Sequence, residues 1–96
     1  MKTKLICANL PLKFKTMTRP GKRSTTIVRW INHAMLYDLL ANPVTDDCVP
    51  FGLHLNESLL FYVDMIRDRH NITRSECLTR LAIAGYRAEH AAEALI

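Results

Sequence analysis

The chain has 96 residues, of which 49% are hydrophobic and 23% are charged, so it is expected to form one small globular domain rather than a disordered segment. Its apolar runs are only a few residues long, which predicts no membrane span. The formal net charge is +4, and residues 1–37 hold eight Lys and Arg but no Asp or Glu. Such a one-sided basic segment is typical of proteins that bind nucleic acid.

The first third of the chain combines an apolar segment with a basic stretch. Residues 5–12 predict a short strand or an extended arm. Residues 13–22 predict a loop, because they are polar and contain Pro20 and Gly21. A basic arm of this kind contacts phosphates without reading sequence. The cations expected to form it are Lys13, Lys15, Arg19, Lys22 and Arg23.

A helix is expected over about residues 24–41. Its apolar residues recur close to helical spacing, and Ser24 or Thr25 supplies an N-cap. Turn-forming residues follow at 42–47. The basic stretch and this helix make up the first of two expected parts of the chain, residues 1–48.

The second part, residues 49–96, begins with a strand. Residues 50–55 alternate apolar and other side chains, which is the period of a half-buried strand. Asn56 is suited to cap a helix over 57–70, and Asn71 is suited to end it in a left-handed conformation.

A second helix is expected to follow directly. Thr73 and Glu76 form a capping box, which predicts a helix over 74–86 that could continue towards Leu95. A lone strand leaves both edges unpaired, so the strand is expected to pair with its copy in a second chain. The inward-facing residues expected in the core of that dimer are Phe51, Leu53, Leu55, Leu59, Val63, Ile66, Leu78 and Leu81.

The run PFGLHLNESLLFYVDMIRDRHNITRSECLTRLAIAGY, residues 50–86, resembles the ribbon-helix-helix DNA-binding proteins of the Arc and MetJ class. The resemblance lies in the order and spacing of the alternating strand, the apolar pattern from Leu59 to Ile66 and the start of the second helix at Thr73. It implies a mainly α fold: a ribbon-helix-helix dimer with one short strand and two helices per chain, here with an N-terminal basic arm and an additional helix.

The resemblance also implies two sets of DNA contacts. The outward strand residues contact bases, and the start of the second helix holds phosphates. The outward positions are Pro50, Gly52 and His54, and two of these side chains offer no hydrogen bond, so base readout is expected to be thin. The phosphate contacts are expected from Thr73, Arg74 and Ser75, at the positive end of the helix dipole.

Two features of the sequence have alternative interpretations. The first helix of the second part is apolar beyond its expected stripe, and these residues are expected to be covered by the 24–41 helix or by a protein partner. They are Leu60, Phe61, Tyr62 and Met65. In addition, residues 22–31 resemble residues 73–81, which indicates either two similar helix starts or a tandem unit. The tandem unit would have residues 5–12 as its strand and a missing or much shortened first helix; two similar helix starts are the simpler interpretation.

The sequence therefore predicts a cytoplasmic homodimer that binds double-stranded DNA, most simply a transcriptional repressor or autoregulator of phage, plasmid or bacterial origin. The alternatives are a plasmid partition or conjugative-transfer accessory protein, and a protein-protein interaction or inhibitor module on the same scaffold. No catalytic combination of residues occurs at a suggestive spacing, so an enzyme is not expected. The three Cys match no zinc or disulfide pattern, so no metal or cofactor is expected, and Cys77 is expected to be buried.

Overall fold

Two segments with alternating side chains pair with each other in one antiparallel ribbon. In the computed structural model, which describes residues 3–43 and 47–94, strand β1 (Thr3–Pro11) pairs with strand β2 (Cys48–Asn56). Cys7 lies opposite Gly52 at the middle of the ribbon. The expected pairing of residues 50–55 with a second chain is therefore corrected. A strand in the same chain is always present at high local concentration, and β1 is that strand.

Four helices complete the described structure. They are α1 (Phe14–Met17), α2 (Arg23–Leu36), α3 (Glu57–His70) and α4 (Arg74–Ala94). The segment expected to be a loop thus contains α1, and the basic arm is part of the fold. Part of the turn expected at 42–47 lies outside the described residues. Lys2 and Leu95 lie outside them as well.

The ends of the helices follow local capping chemistry. Asn56 caps α3, since its Oδ1 accepts a hydrogen bond of 2.7 Å from the N–H of Leu59, and Asn71 ends α3 with a φ of 55°. Helix α2 ends earlier than expected. Asp38 takes a φ of 54°, and the N–H of Leu39 donates to the carbonyl of Ala34, as in a Schellman motif.

The core lies between the inner face of the ribbon and the crossed helices α2 and α4. Of the residues expected in a dimer core, seven are buried and Ile66 is partly buried against them. They pack within one chain, together with β1 and α2. An aromatic cluster holds α1 in place: the Phe14 ring lies 5.0 Å from the Trp30 ring and 5.7 Å from the Tyr86 ring.

The two halves of the chain correspond position by position. The strand register is symmetric about Cys7 and Gly52, with an offset of 45 residues that relates Asn9 to His54. In α2 and α4 the offset is 51 residues, and buried positions match. The matched pairs are Ile27 and Leu78, Trp30 and Leu81, Ile31 and Ala82, and Ala34 and Gly85. The larger offset reflects the first helix of each half, which has 4 residues in α1 and 14 in α3. This agrees with the tandem-unit interpretation, in which the first helix is much shortened.

Gly85 lies where the backbones of α2 and α4 approach most closely. A Cβ built at Gly85 would lie 2.8 Å from the Cα of Trp30, and closer still to its carbonyl group. Glycine normally weakens a helix interior by about 1 kcal/mol relative to alanine. Here the close crossing requires glycine, and α4 continues past this residue to Ala94.

We predict that Gly85→Ala destabilises the fold by about 2 kcal/mol, because overpacking outweighs the gain in helix propensity. Urea unfolding followed by circular dichroism measures the change. Gly52→Ala is the matched control, since its Cβ would meet only the flexible end of Leu5, at 3.2 Å. A Gly85→Ala protein as stable as the wild type would contradict the close crossing of the helices.

Candidate nucleic-acid interface

The outer face of the ribbon is exposed from Leu5 to Asn9 on β1 and from Pro50 to His54 on β2. Three of its residues were expected from the sequence: Pro50, Gly52 and His54. Leu5, Cys7 and Asn9 of β1 lie on the same face and were missed. The repeated pattern at the two helix starts was the signal that could have found them, because it implies a first strand equivalent to β2.

On each edge of the ribbon, a serine near the start of a long helix accepts a hydrogen bond from a strand N–H. The N–H of His54 donates to Ser24 Oγ at 2.8 Å, and the N–H of Asn9 donates to Ser75 Oγ at 3.3 Å. These bonds satisfy N–H groups that an edge strand otherwise leaves unpaired. They also fix the N-termini of α2 and α4 beside opposite ends of the outer face. The strands contribute only their backbone N–H groups to these bonds, so the side chains of Asn9 and His54 stay exposed.

The start of α4 has the cap that the sequence predicted and an ion pair that it did not. Thr73 caps the helix, since its Oγ1 accepts a bond of 3.1 Å from the N–H of Glu76. Arg74 also donates through Nε and Nη2 to the two carboxylate oxygens of Asp64, at 2.8 and 2.7 Å. This hydrogen-bonded pair lowers the pKa of Asp64 and raises that of Arg74. Arg74 is therefore paired with α3 while its side chain stays 40% exposed, and its contact with a phosphate stays a prediction.

The start of α2 carries more uncompensated positive charge. Its first turn has no acidic residue, whereas that of α4 contains Glu76. Arg23 is packed, with Nε donating to Thr18 Oγ1 at 2.9 Å and Nη2 to the carbonyl of Lys15 at 3.0 Å. The remaining cations expected in the basic arm are exposed. They are Lys13, Lys15, Arg19 and Lys22. The predicted basic arm is thus a structured segment that leads into the N-terminus of α2.

Part of α3 presents apolar side chains to solvent. Leu60 is buried, but Phe61, Tyr62 and Met65 are 63%, 54% and 46% exposed. The expectation that the 24–41 helix of the same chain covers these three residues is wrong, because α2 packs mainly against α4. Cover across a dimer or by a protein partner stays a prediction.

The three cysteines differ in their exposure. Cys7 and Cys48 are exposed, whereas burial raises the pKa of the Cys77 thiol to about 11. Within residues 3–43 and 47–94, no group of three or more His, Cys, Asp or Glu side chains could hold a metal ion. Over the same residues, no helix has the length and apolar character to cross a bilayer.

Comparison with known proteins identifies no relative. No family model, curated protein or solved structure matches the chain. The candidate interface is therefore described from the geometry and charge of this chain alone.

We predict that Asp64→Asn lowers the stability by about 1 kcal/mol at neutral pH, which is the size of a favourable, partly exposed ion pair. Because the folded-state pKa of Asp64 lies below its unfolded-state value, this contribution is present above the unfolded-state pKa and is lost as the pH falls through the folded-state pKa. Urea unfolding at neutral pH and near pH 2 measures both effects. Asp68→Asn, whose carboxylate is 72% exposed, is the control and should change stability less. A difference between wild type and Asp64→Asn that is equally large at both pH values would contradict the ion pair.

Proposed function

We propose that the chain is a double-stranded DNA-binding regulator, built as a ribbon-helix-helix scaffold in which one chain supplies both strands. The observation that carries the proposal is the exposed outer face of the β1–β2 ribbon, with a helix N-terminus fixed beside each end. A two-stranded ribbon fits the major groove of B-form DNA, which is about 12 Å wide.

The side chains on the outer face suit a close approach to base edges. Gly52 and Cys7 place little bulk at the middle of the ribbon. Asn9 and His54, one near each end, carry hydrogen-bonding groups that are free to reach the edges of bases. The thin readout expected from β2 alone is therefore supplemented by β1.

The phosphate contacts are supplied by the helix starts and by the segment before α2. A helix N-terminus favours an anion through its free N–H groups and its dipole. Lys15, Arg19 and Lys22 are exposed in the segment that leads into α2. In this proposal the main phosphate contacts lie at α2, and Arg74, whose charge is shared with Asp64, contributes less.

A second candidate function is a protein-binding module on the same scaffold. The exposed Phe61, Tyr62 and Met65 favour it, since a cluster of apolar side chains on a helix surface often marks a contact. Binding to DNA distinguishes the two functions, because a pure protein-binding module has no need of it.

We predict that the protein binds random-sequence duplex DNA at low salt and that the affinity falls steeply as salt is added. The double substitution Arg19→Ala and Lys22→Ala should reduce the slope of log K against log salt by about 2, one for each lost phosphate contact. Fluorescence anisotropy measures the slope. Arg69→Ala, in the last turn of α3, removes an exposed cation away from the ribbon and should leave the slope unchanged. Absence of binding at the lowest salt would reject the DNA-binding function and favour the protein-binding module.

A thiol reagent tests where the DNA lies. In a Cys48→Ser protein, maleimide should modify Cys7, which is exposed, and spare Cys77, which is buried. Saturating duplex DNA should slow modification of Cys7 at least roughly tenfold, because the ribbon is then covered by the groove. Mass spectrometry follows the reaction. Unchanged modification of Cys7 in a complex shown to be bound would place the DNA on another surface.

A further inference from the structure

We infer that a single chain recognises a DNA site that lacks two-fold symmetry. The inference rests on the proposed DNA binding and concerns the class of site that is bound. Both strands of the ribbon belong to one chain, so the two ends of its outer face consist of different residues. A ribbon made by two identical chains presents the same residues at both ends and favours a palindromic site.

The two ends of the outer face carry different hydrogen-bonding chemistry. At the end beside α2, Leu5 lies opposite His54, and at the end beside α4, Pro50 lies opposite Asn9. Each end thus pairs one hydrogen-bonding side chain with one apolar side chain.

These side chains suit different bases. An Asn side chain can form two hydrogen bonds with the edge of adenine, whereas a His ring offers one bond to a base edge. An exposed leucine suits the methyl group of thymine. Asn9 is therefore expected to select adenine at one end of the site, and Leu5 with His54 to select a different sequence at the other end.

The charges at the two ends are also unequal. Lys22 immediately precedes α2, whose first turn has no acidic residue. At α4, Glu76 lies in the first turn, and Arg74 is bound by Asp64. The phosphates beside α2 are thus held more strongly than those beside α4. This difference gives the protein a preferred direction on the duplex, in addition to the different base contacts.

Selection of bound sites from a random duplex pool, at low salt, tests the inference with the wild-type chain. The expected result is a non-palindromic motif. Native mass spectrometry of the complex with one selected site should show one chain per duplex. A palindromic motif bound by two chains would overturn the inference while leaving DNA binding intact. Failure to enrich any duplex, together with no binding to random DNA, would instead reject the proposed function.

Two single substitutions assign the ends of the motif. Asn9→Ala should relax the base preference at one end only and weaken binding to the selected site by roughly tenfold or more, the value of a lost two-bond contact to a base. His54→Ala should relax the other end only. Relaxation of both ends by either substitution would show that two copies read the site, which overturns the inference. The wild-type motif decides the question by itself if either variant fails to fold.

Discussion

The pairing of β1 with β2 within one chain is the contact on which the rest of the structure depends. A two-stranded ribbon is only marginally stable alone, so its inner face must be covered by helices. The crossed helices α2 and α4 provide that cover, and the second residue of each is a serine whose Oγ accepts a hydrogen bond from a strand N–H. The ribbon in turn fixes where both helices begin. The exposed outer face, the serine hydrogen bonds at the two edges and the positions of the two helix N-termini therefore all depend on this one strand pairing.

The two halves of the chain have matching buried positions in α2 and α4, but their first helices differ in length. The α2–α4 crossing places Trp30 against Gly85, a position whose equivalent in α2 is Ala34, so small residues occupy both matched sites. The first helices differ most. Helix α3 covers one side of the core with 14 residues, whereas α1 has 4 and fills its side with Phe14 and its aromatic neighbours. The exposed apolar side chains of α3 lie on the element that has no full counterpart in the first half.

Local chemistry made some elements predictable from the sequence. The alternation in residues 50–55 predicted β2, Asn56 and Asn71 predicted the ends of α3, and Thr73 predicted the start of α4. These signals act over a few residues, so they do not depend on the rest of the fold. The end of α2 was not predicted because it depends on Asp38, which takes a left-handed conformation. That conformation is usually signalled by a glycine, and this position has none.

Contacts between distant segments were not predictable in the same way. The residues that pair with β2 lie 37 to 53 positions earlier in the chain, from Pro11 opposite Cys48 to Thr3 opposite Asn56. The alternation in β1 is also interrupted at Leu10 and Pro11, which are both buried. The choice between a partner in the same chain and one in a second chain therefore could not be made from β2 alone. The ion pair of Arg74 with Asp64 likewise requires the packing of α4 on α3. The resemblance of residues 22–31 to residues 73–81 was a long-range signal for a tandem unit. The sequence alone did not distinguish it from two similar helix starts, and the strand pairing was needed to interpret it.

In a ribbon built from one chain, the two ends of the outer face can carry different residues, whereas in a homodimer they must be identical. In a homodimer, every substitution changes both ends of the outer face at once. In this chain, Asn9 and His54 occupy corresponding positions and differ, as do Leu5 and Pro50. The matched buried positions beneath them, such as Ile27 and Leu78 or Trp30 and Leu81, remain apolar even where the side chains differ in size, because both halves pack their helices against the same core. The core thus keeps the symmetry that packing requires, while the outer face is free to differ from one end to the other.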